Sequence, residues 1–256
     1  TATKPLPEHD CLVPMGDDTV RVVARIRDGE QIARSRVHPI QVLAALVTYA
    51  QGHGERGKLT WTPIPQVIDA LNEAFYASFG NVEPSGKRLC LALDVSGSMD
   101  SGQVSGVPGL TPRAASAAMA LVTARVEPRY AMVAFSTTLI PVSISPSSRL
   151  DDVVKQLHAI PMGGTDCAAP IVWAHRQGVG IDAFVIYTDS ETWAGSVHPV
   201  VALREYRRAT GIPAKLVVVG MVSTSGSIAD PRDAGMLDVS GFDTATPGVV
   251  EDFVSH

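Results

Sequence analysis

The chain has 256 residues, of which 45% are hydrophobic and 18% are charged, and its formal net charge is −5. A chain of this size and composition can bury a large core, which excludes a disordered tail and a coiled coil. The net charge gives no global signal for nucleic acid, although a local basic patch stays open. Its 3 cysteines lack metal spacing. With no membrane-spanning run or signal peptide, a reduced, cytoplasmic protein is expected.

Residues 1–84 have a helical pattern. Apolar residues from Val20 to Ile32 recur at near-helical spacing, and His38-Pro39 and Thr62-Pro63 open two further apolar runs. Proline at the first position of a helix is favoured because its missing N–H would have no partner there. The pattern predicts antiparallel helices joined by short loops.

From residue 85 onwards, strand and helix patterns alternate, after a linker marked by Pro84, Ser85 and Gly86. Strands are predicted at 89–94, 130–136, 139–144, 182–189 and 214–222, and helices at 112–126, 149–160, 166–178, 198–211 and around 249–253. Continuous apolar strands separated by helices predict a mostly parallel sheet covered on both faces. The second and third strands are close enough to form a hairpin at an antiparallel edge. The predicted domains are therefore 1–84 and 85–256.

Oxygen-bearing side chains follow the predicted strands. The buried run LCLAL leads into Asp94, Ser96 and Ser98, and Asp189 ends the strand AFVIYTD. Thr165 stands in a glycine-containing loop before a helix. In a doubly wound sheet such positions meet where the strand order reverses. Two facing carboxylates are unfavourable without a shared proton or cation, and a hard divalent cation prefers oxygen ligands.

These five residues therefore predict a site for a divalent cation, with Mg²⁺ favoured and Mn²⁺ or Ca²⁺ as alternatives. A contact through water is open for Thr165 or for one of the aspartates. The competing interpretation is a set of capped turns, since Asp, Ser and Thr also satisfy loop and helix-start amides.

The order Asp94-x-Ser96-x-Ser98, then Gly163-Gly164-Thr165, then Tyr-Thr-Asp189 resembles the metal-ion-dependent adhesion site of von Willebrand factor A domains. The resemblance covers about residues 87–256 and implies a Rossmann-like α/β domain with a six-stranded, mostly parallel sheet. It also implies binding without bond chemistry, in which an Asp or Glu of a protein partner completes the coordination of the ion.

Three longer stretches, RVHPIQVLAALVTYAQGHGERGKLTW, GVPGLTPRAASAAMAL and YTDSETWAG, resemble the Ro RNA-binding proteins, also called TROVE proteins. This resemblance implies that residues 1–84 belong to a ring of HEAT-like helical repeats and that the chain is the C-terminal part of a longer protein. It implies a non-catalytic ribonucleoprotein component whose full ring binds small noncoding RNA, Y-like or misfolded. No membrane or DNA partner is expected.

Basic residues outnumber acidic ones in part of the helical segment, where Arg21, Arg25 and Arg36 are candidate contacts for RNA phosphates. Arg21 and Arg25 are one turn apart and share a helix face. A solvated helix surface is the alternative interpretation.

An enzyme is not predicted, because neither a phosphate-binding GxxxxGK[ST] loop nor a GxSxG nucleophile elbow occurs. A metal-dependent phosphoester hydrolase stays an alternative, since a bound divalent ion can activate water. A further alternative is a scaffold with a vestigial metal site.

Overall fold

The computed structural model describes residues 12–54, 58–104, 107, 109–161, 163–189, 195–222 and 228–256. The chain divides into two compact units, Thr1–Asn81 and Val82–His256. Within the described ranges, no helix has both the length and the apolar character that a membrane span requires.

The first unit is helical. It contains α1 (Asp17–Ile26), α2 (Gly29–Ser35), α3 (Pro39–Gln51) and α4 (Pro65–Ala77). The apolar run from Val20 to Ile32 is split into two helices, because the carboxylate of Asp28 accepts a hydrogen bond from the Gln31 amide and so starts α2.

A reciprocal cap starts α3. The imidazole Nδ1 of His38 accepts from the Ile40 amide at 3.1 Å, and the Gln41 side chain accepts from the His38 amide at 3.3 Å. Pro39 occupies the first helical position, as its sequence predicts. The end of the unit is tied to its middle, because the Asn81 side-chain amide donates to the carbonyls of Ile32 and Val37.

The second unit is an α/β domain. Its elements in chain order are β1 (Leu89–Asp94), α5 (Pro112–Val126), β2 (Tyr130–Phe135), β3 (Leu139–Pro141), α6 (Leu150–His158), α7 (Ala169–Gln177), β4 (Ala183–Thr188), α8 (Pro199–Thr210), β5 (Lys215–Gly220), β6 (Met236–Ser240) and α9 (Thr246–Ser255). The described strands form one sheet in the order β3-β2-β1-β4-β5-β6. Every neighbouring pair is parallel except β2 with β3. The predicted six-stranded, mostly parallel sheet with an antiparallel edge is confirmed.

Two details of the sheet differ from the sequence pattern. The strand predicted over 139–144 is limited to Leu139–Pro141. The sixth strand, Met236–Ser240, had no apolar run to mark it, because it lies at the sheet edge and is only partly buried beyond Met236. An edge strand pairs on one side only and needs fewer apolar side chains than a central one.

The strands β1 and β4 form the buried centre of the sheet, with every residue of both strands buried. Helix α8 packs against this centre through Tyr206, whose ring contacts Phe184 edge to face at 5.2 Å between centroids. The Tyr206 hydroxyl accepts from the Ile181 amide at 2.6 Å and donates to the Val179 carbonyl at 2.8 Å. Tyr206 therefore holds the chain segment that enters β4.

An ion pair joins the segments that lead into β1 and β4. Asp182 accepts from the Arg88 amide at 2.8 Å, and the Arg88 guanidinium contacts both oxygens of its carboxylate. The hydrogen bonds from Arg88 lower the pKa of Asp182 below its ordinary value. The unfolded chain, with a carboxyl pKa of about 3.9, therefore binds a proton at a higher pH than the folded chain does.

This pair predicts a pH-dependent contribution to stability. Asp182→Asn should lower the free energy of unfolding at pH 7 by about 1 kcal/mol, a small value because the pair is partly exposed and screened by solvent. The contribution is fully present above the unfolded pKa and is lost as the pH falls through the folded pKa. Urea unfolding of parent and variant from pH 7 to pH 3 should show the difference shrinking only below about pH 4. A difference that stays constant with pH would contradict this assignment.

Candidate metal centre

Asp94 and Asp189 lie at the point where the strand order reverses. The chain leaves β1 towards β2 on one side, and β4 pairs with the other side of β1 in parallel. Asp94 is the last residue of β1, and Asp189 directly follows β4. Both carboxylates are buried, with exposed fractions of 1% and 8%. The structure therefore places them beside each other at the carboxyl ends of two neighbouring central strands, as the sequence predicts.

The carboxylate of Asp94 accepts hydrogen bonds from three directions. Its Oδ1 accepts from the Ser96 amide at 2.8 Å, which closes the turn after β1. Its Oδ2 accepts from the Thr188 hydroxyl at 2.6 Å and from the Thr165 hydroxyl at 3.4 Å. The side chain is thereby oriented by its own turn, by the end of β4 and by the loop before α7.

A chain of hydroxyl contacts leads to Asp189. The Ser96 and Ser98 hydroxyls are 3.1 Å apart, and the Ser98 hydroxyl donates to Asp189 Oδ1 at 3.0 Å. The structure therefore brings all the predicted ligands together from three loops, namely Asp94, Ser96, Ser98, Thr165 and Asp189.

The two carboxylates repel each other when both are ionised. Burial raises the pKa of Asp94 above its ordinary value, and the charge of Asp189 raises it further, against the opposing hydrogen bonds from Thr188 and Ser96. A bound cation would remove this repulsion and favour the ionised form of both groups.

The loop that carries Thr165 lies against the end of β2. The Gly164 amide donates to the Thr137 hydroxyl at 2.7 Å. A Cβ atom on Gly163 would overlap the Thr137 hydroxyl and crowd the Ser136 hydroxyl, so the close approach requires glycine. The neighbouring Asp166 points elsewhere: its Oδ1 accepts from the Ala168 amide at 3.0 Å and closes the turn before α7.

The donor set fits a hard divalent cation. All five side chains offer oxygen, and Mg²⁺, Mn²⁺ and Ca²⁺ take oxygen ligands. Across the described ranges, no cluster of three or more His, Cys, Asp and Glu side chains could hold a metal. An ion at this centre would therefore depend on hydroxyls as well as on the two carboxylates. A bound ion would supply Lewis acidity and an electrostatic bridge to a further oxygen ligand.

Sequence reasoning missed two residues at this centre. Thr188 contacts Asp94 directly, and its signal was its place immediately before Asp189 in the strand. Arg113 lies buried beside the Asp94–Ser98 turn, where its guanidinium donates to the Ser96 carbonyl at 3.1 Å. Its signal was an arginine within the alanine-rich run PRAASAAMAL.

The candidate RNA contacts lie on the surface of the first unit. Arg21 and Arg25 are both exposed on α1, and Arg21 contacts Asp18 at 3.5 Å. Arg36 is exposed as well, but it ends α2 in a left-handed conformation with φ of 51°. The structure thus confirms the shared helix of Arg21 and Arg25 and assigns Arg36 to a different element.

The strand order, the parallel register and the set of side chains at the switch point define a von Willebrand factor A-type domain. A family model described as the Ro60 vWA domain matches residues 88–254. The chain belongs to this Ro60 family.

Relatives extend the likeness beyond the α/β domain. The RNA-binding protein RO60 of Deinococcus radiodurans is 49% identical over 243 residues, covering 94% of this chain and 46% of the relative. The RNA-binding protein RO60 of Caenorhabditis elegans is 45% identical over 235 residues, covering 91% of this chain and 36% of the relative. The crystal structure of the Deinococcus radiodurans RO (RSR) protein superimposes with a TM-score of 0.90, over 95% of this chain and 49% of that chain. The chain thus spans less than half the length of these proteins.

Proposed function

We propose that this chain works as part of a Ro-type RNA-binding protein, and that its α/β domain binds a divalent cation and an acidic protein partner. The observation that carries the proposal is the 49% identity to a named RNA-binding protein over 94% of this chain. The likeness reaches across both compact units, so it supports a shared role for the helical unit and the α/β domain.

The RNA contacts are proposed to lie on the helical unit, which in this proposal is a segment of a HEAT-like repeat ring. Arg21, Arg25 and Arg36 are exposed and can approach a phosphate backbone. Small noncoding RNA, Y-like or misfolded, is the proposed ligand class. Phosphate contacts release counterions, and each one contributes about 0.7 to the salt slope for a single strand.

Fluorescence anisotropy with a labelled small structured RNA tests this part. The variant R21E/R25E/R36E should bind at least tenfold more weakly than the parent at the same salt concentration and should show a smaller salt slope. The control is R232E, which reverses the charge of an exposed arginine in the second unit. Equal affinity of the parent and the triple variant would contradict the assignment.

The proposed role of the metal centre is adhesion. The described donors are two carboxylates and three neutral hydroxyls, and because such an ion takes six or more oxygen ligands, the five side chains would leave at least one coordination position for a further carboxylate. A partner Asp or Glu would complete the coordination, and the ion would act as a bridge between the proteins. Mg²⁺ is the ion we propose, with Mn²⁺ or Ca²⁺ as substitutes.

A peptide pair tests the bridge. A peptide with a single aspartate should bind the chain in the presence of Mn²⁺ and lose that binding when the aspartate is replaced by asparagine. Both peptides should behave alike in EDTA, because the ion is then absent. Metal-dependent binding that is the same for both peptides would contradict the proposed bridge.

A further inference from the structure

Arg113 is a buried cation next to the metal centre. It is the second residue of α5, directly after Pro112, and only 1% of its surface is exposed. Arginine is almost never fully buried unless it is paired, because removing its charge from water is costly. Its position inside the fold therefore calls for specific partners.

The guanidinium of Arg113 spans the turn that carries the serine ligands. Its Nε donates to Asp100 Oδ1 at 2.6 Å, and its Nη2 donates to Asp100 Oδ2 at 2.9 Å. The same Nη2 donates to the carbonyls of Ser96, at 3.1 Å, and Val95, at 3.5 Å. One side chain thus holds both ends of the segment from Val95 to Asp100.

These contacts determine where the serine hydroxyls lie. Tethering the Ser96 carbonyl limits rotation of the peptide planes on either side of it, and so limits the direction of the Ser96 side chain. Fixing Asp100 restrains the short helical turn Gly97–Asp100, which contains Ser98. Because the charge of Arg113 is paired with Asp100, it adds little net repulsion against a cation bound nearby.

Asp100 also reaches the element that precedes the Thr165 loop. Its Oδ2 is 3.3 Å from Nδ1 of His158, the last residue of α6. The chain runs from His158 into the loop that presents Thr165. The pair formed by Arg113 and Asp100 therefore contacts the serine-bearing turn and the last residue of α6.

We propose that Arg113, paired with Asp100, is a positioning residue that holds the Ser96 and Ser98 hydroxyls in place for the cation. The inference rests on the proposed metal-binding function and adds to it a residue that touches no ion. Its role is to lower the cost of ordering the loop when the ion binds.

The test compares Mn²⁺ affinity with stability. Arg113→Met keeps an unbranched, uncharged side chain as far as the position of Nε and removes the guanidinium, and it should weaken Mn²⁺ binding about tenfold. The matched control is Tyr206→Phe, which removes a buried hydroxyl at the opposite end of β4. The control should lower the free energy of unfolding by about 1–3 kcal/mol and leave Mn²⁺ affinity within twofold. Affinity is measured at a temperature where circular dichroism shows each variant to be fully folded.

The outcomes separate this inference from the function on which it rests. A parent that binds Mn²⁺ while Arg113→Met binds less than threefold more weakly would overturn the role of Arg113 and leave the metal site standing. A folded parent without Mn²⁺ binding would overturn the metal site and this inference together. If Arg113→Met does not fold, Arg113→Lys decides, because a lysine keeps the charge but cannot bridge Asp100 and two carbonyls at once. A loss of threefold or more in that variant supports the role, and a smaller loss overturns it.

Discussion

Asp189→Asn should weaken Mn²⁺ binding by at least a hundredfold. Asp189 is one of two carboxylates at the centre, and its Oδ1 is held by the Ser98 hydroxyl. Removing one full negative charge from a buried cation site costs several kcal/mol, and each 1.4 kcal/mol is a factor of ten in affinity. The amide keeps the size of the side chain, so the effect isolates its charge.

Asp166→Asn is the matched control for this substitution. Asp166 directly follows the proposed ligand Thr165, but its carboxylate is turned to the Ala168 amide and abuts Gly195. The control should therefore keep Mn²⁺ affinity within threefold of the parent. Isothermal titration calorimetry of the three proteins measures both effects. Equal losses in Asp189→Asn and Asp166→Asn would mean that the ion responds to the general charge of this surface and has no specific ligand set.

A divalent cation that binds the folded chain should raise its free energy of unfolding, and the gain should grow with the ratio of the free ion concentration to the dissociation constant. At a free concentration one hundred times the dissociation constant, Mn²⁺ should raise the free energy of unfolding by about 2.7 kcal/mol, since the unfolded chain does not assemble the site. Asp94→Asn should show no such gain, because the variant loses one of the two charges. EDTA should bring the parent back to its ion-free stability.

The ion-free stability of Asp94→Asn provides a second check. In the absence of the ion, the buried charge of Asp94 is opposed by burial and by Asp189. The amide can still accept from the Ser96 amide and removes the repulsion, so the ion-free variant should unfold within about 1 kcal/mol of the parent. Guanidinium unfolding with and without Mn²⁺ gives both numbers. A variant that gains as much from Mn²⁺ as the parent does would contradict the role of Asp94.

The central strands could be predicted because burial on both faces leaves a strong pattern. The six residues of β1 and of β4 are all buried, and only continuous apolar runs satisfy that environment. The edge strand Met236–Ser240 was not predicted, because it pairs with β5 alone and is only partly buried. Its short run contains Asp238, so its sequence has no periodicity that distinguishes a strand from a loop.

The ligand candidates could be predicted from their places at strand ends, and the structure brings them together. The positions of Thr188 and Arg113 depended on tertiary packing. A threonine inside an apolar strand is also a common strand residue, and its contact with Asp94 requires that β1 and β4 be neighbours. An arginine in a helix is usually solvated, so the burial of Arg113 follows only once α5 is placed beside the Asp94 turn.

The sequence is least informative about RNA. Helical spacing places Arg21 and Arg25 on one face, but exposed basic residues look alike whether they contact phosphate or solvent. Arg36 lies at the end of α2, and the sequence pattern does not relate it to the helix face of the other two.

Titration of the parent chain with Mn²⁺, followed by the electron paramagnetic resonance signal of free Mn²⁺, decides whether the metal centre exists. We expect saturable binding of one equivalent, because Asp94 and Asp189 contribute to a single centre and no metal-holding cluster of His, Cys, Asp and Glu occurs elsewhere in the described ranges. A free-ion signal that rises in proportion to added Mn²⁺, with a folded chain and no saturable loss, would contradict the metal centre.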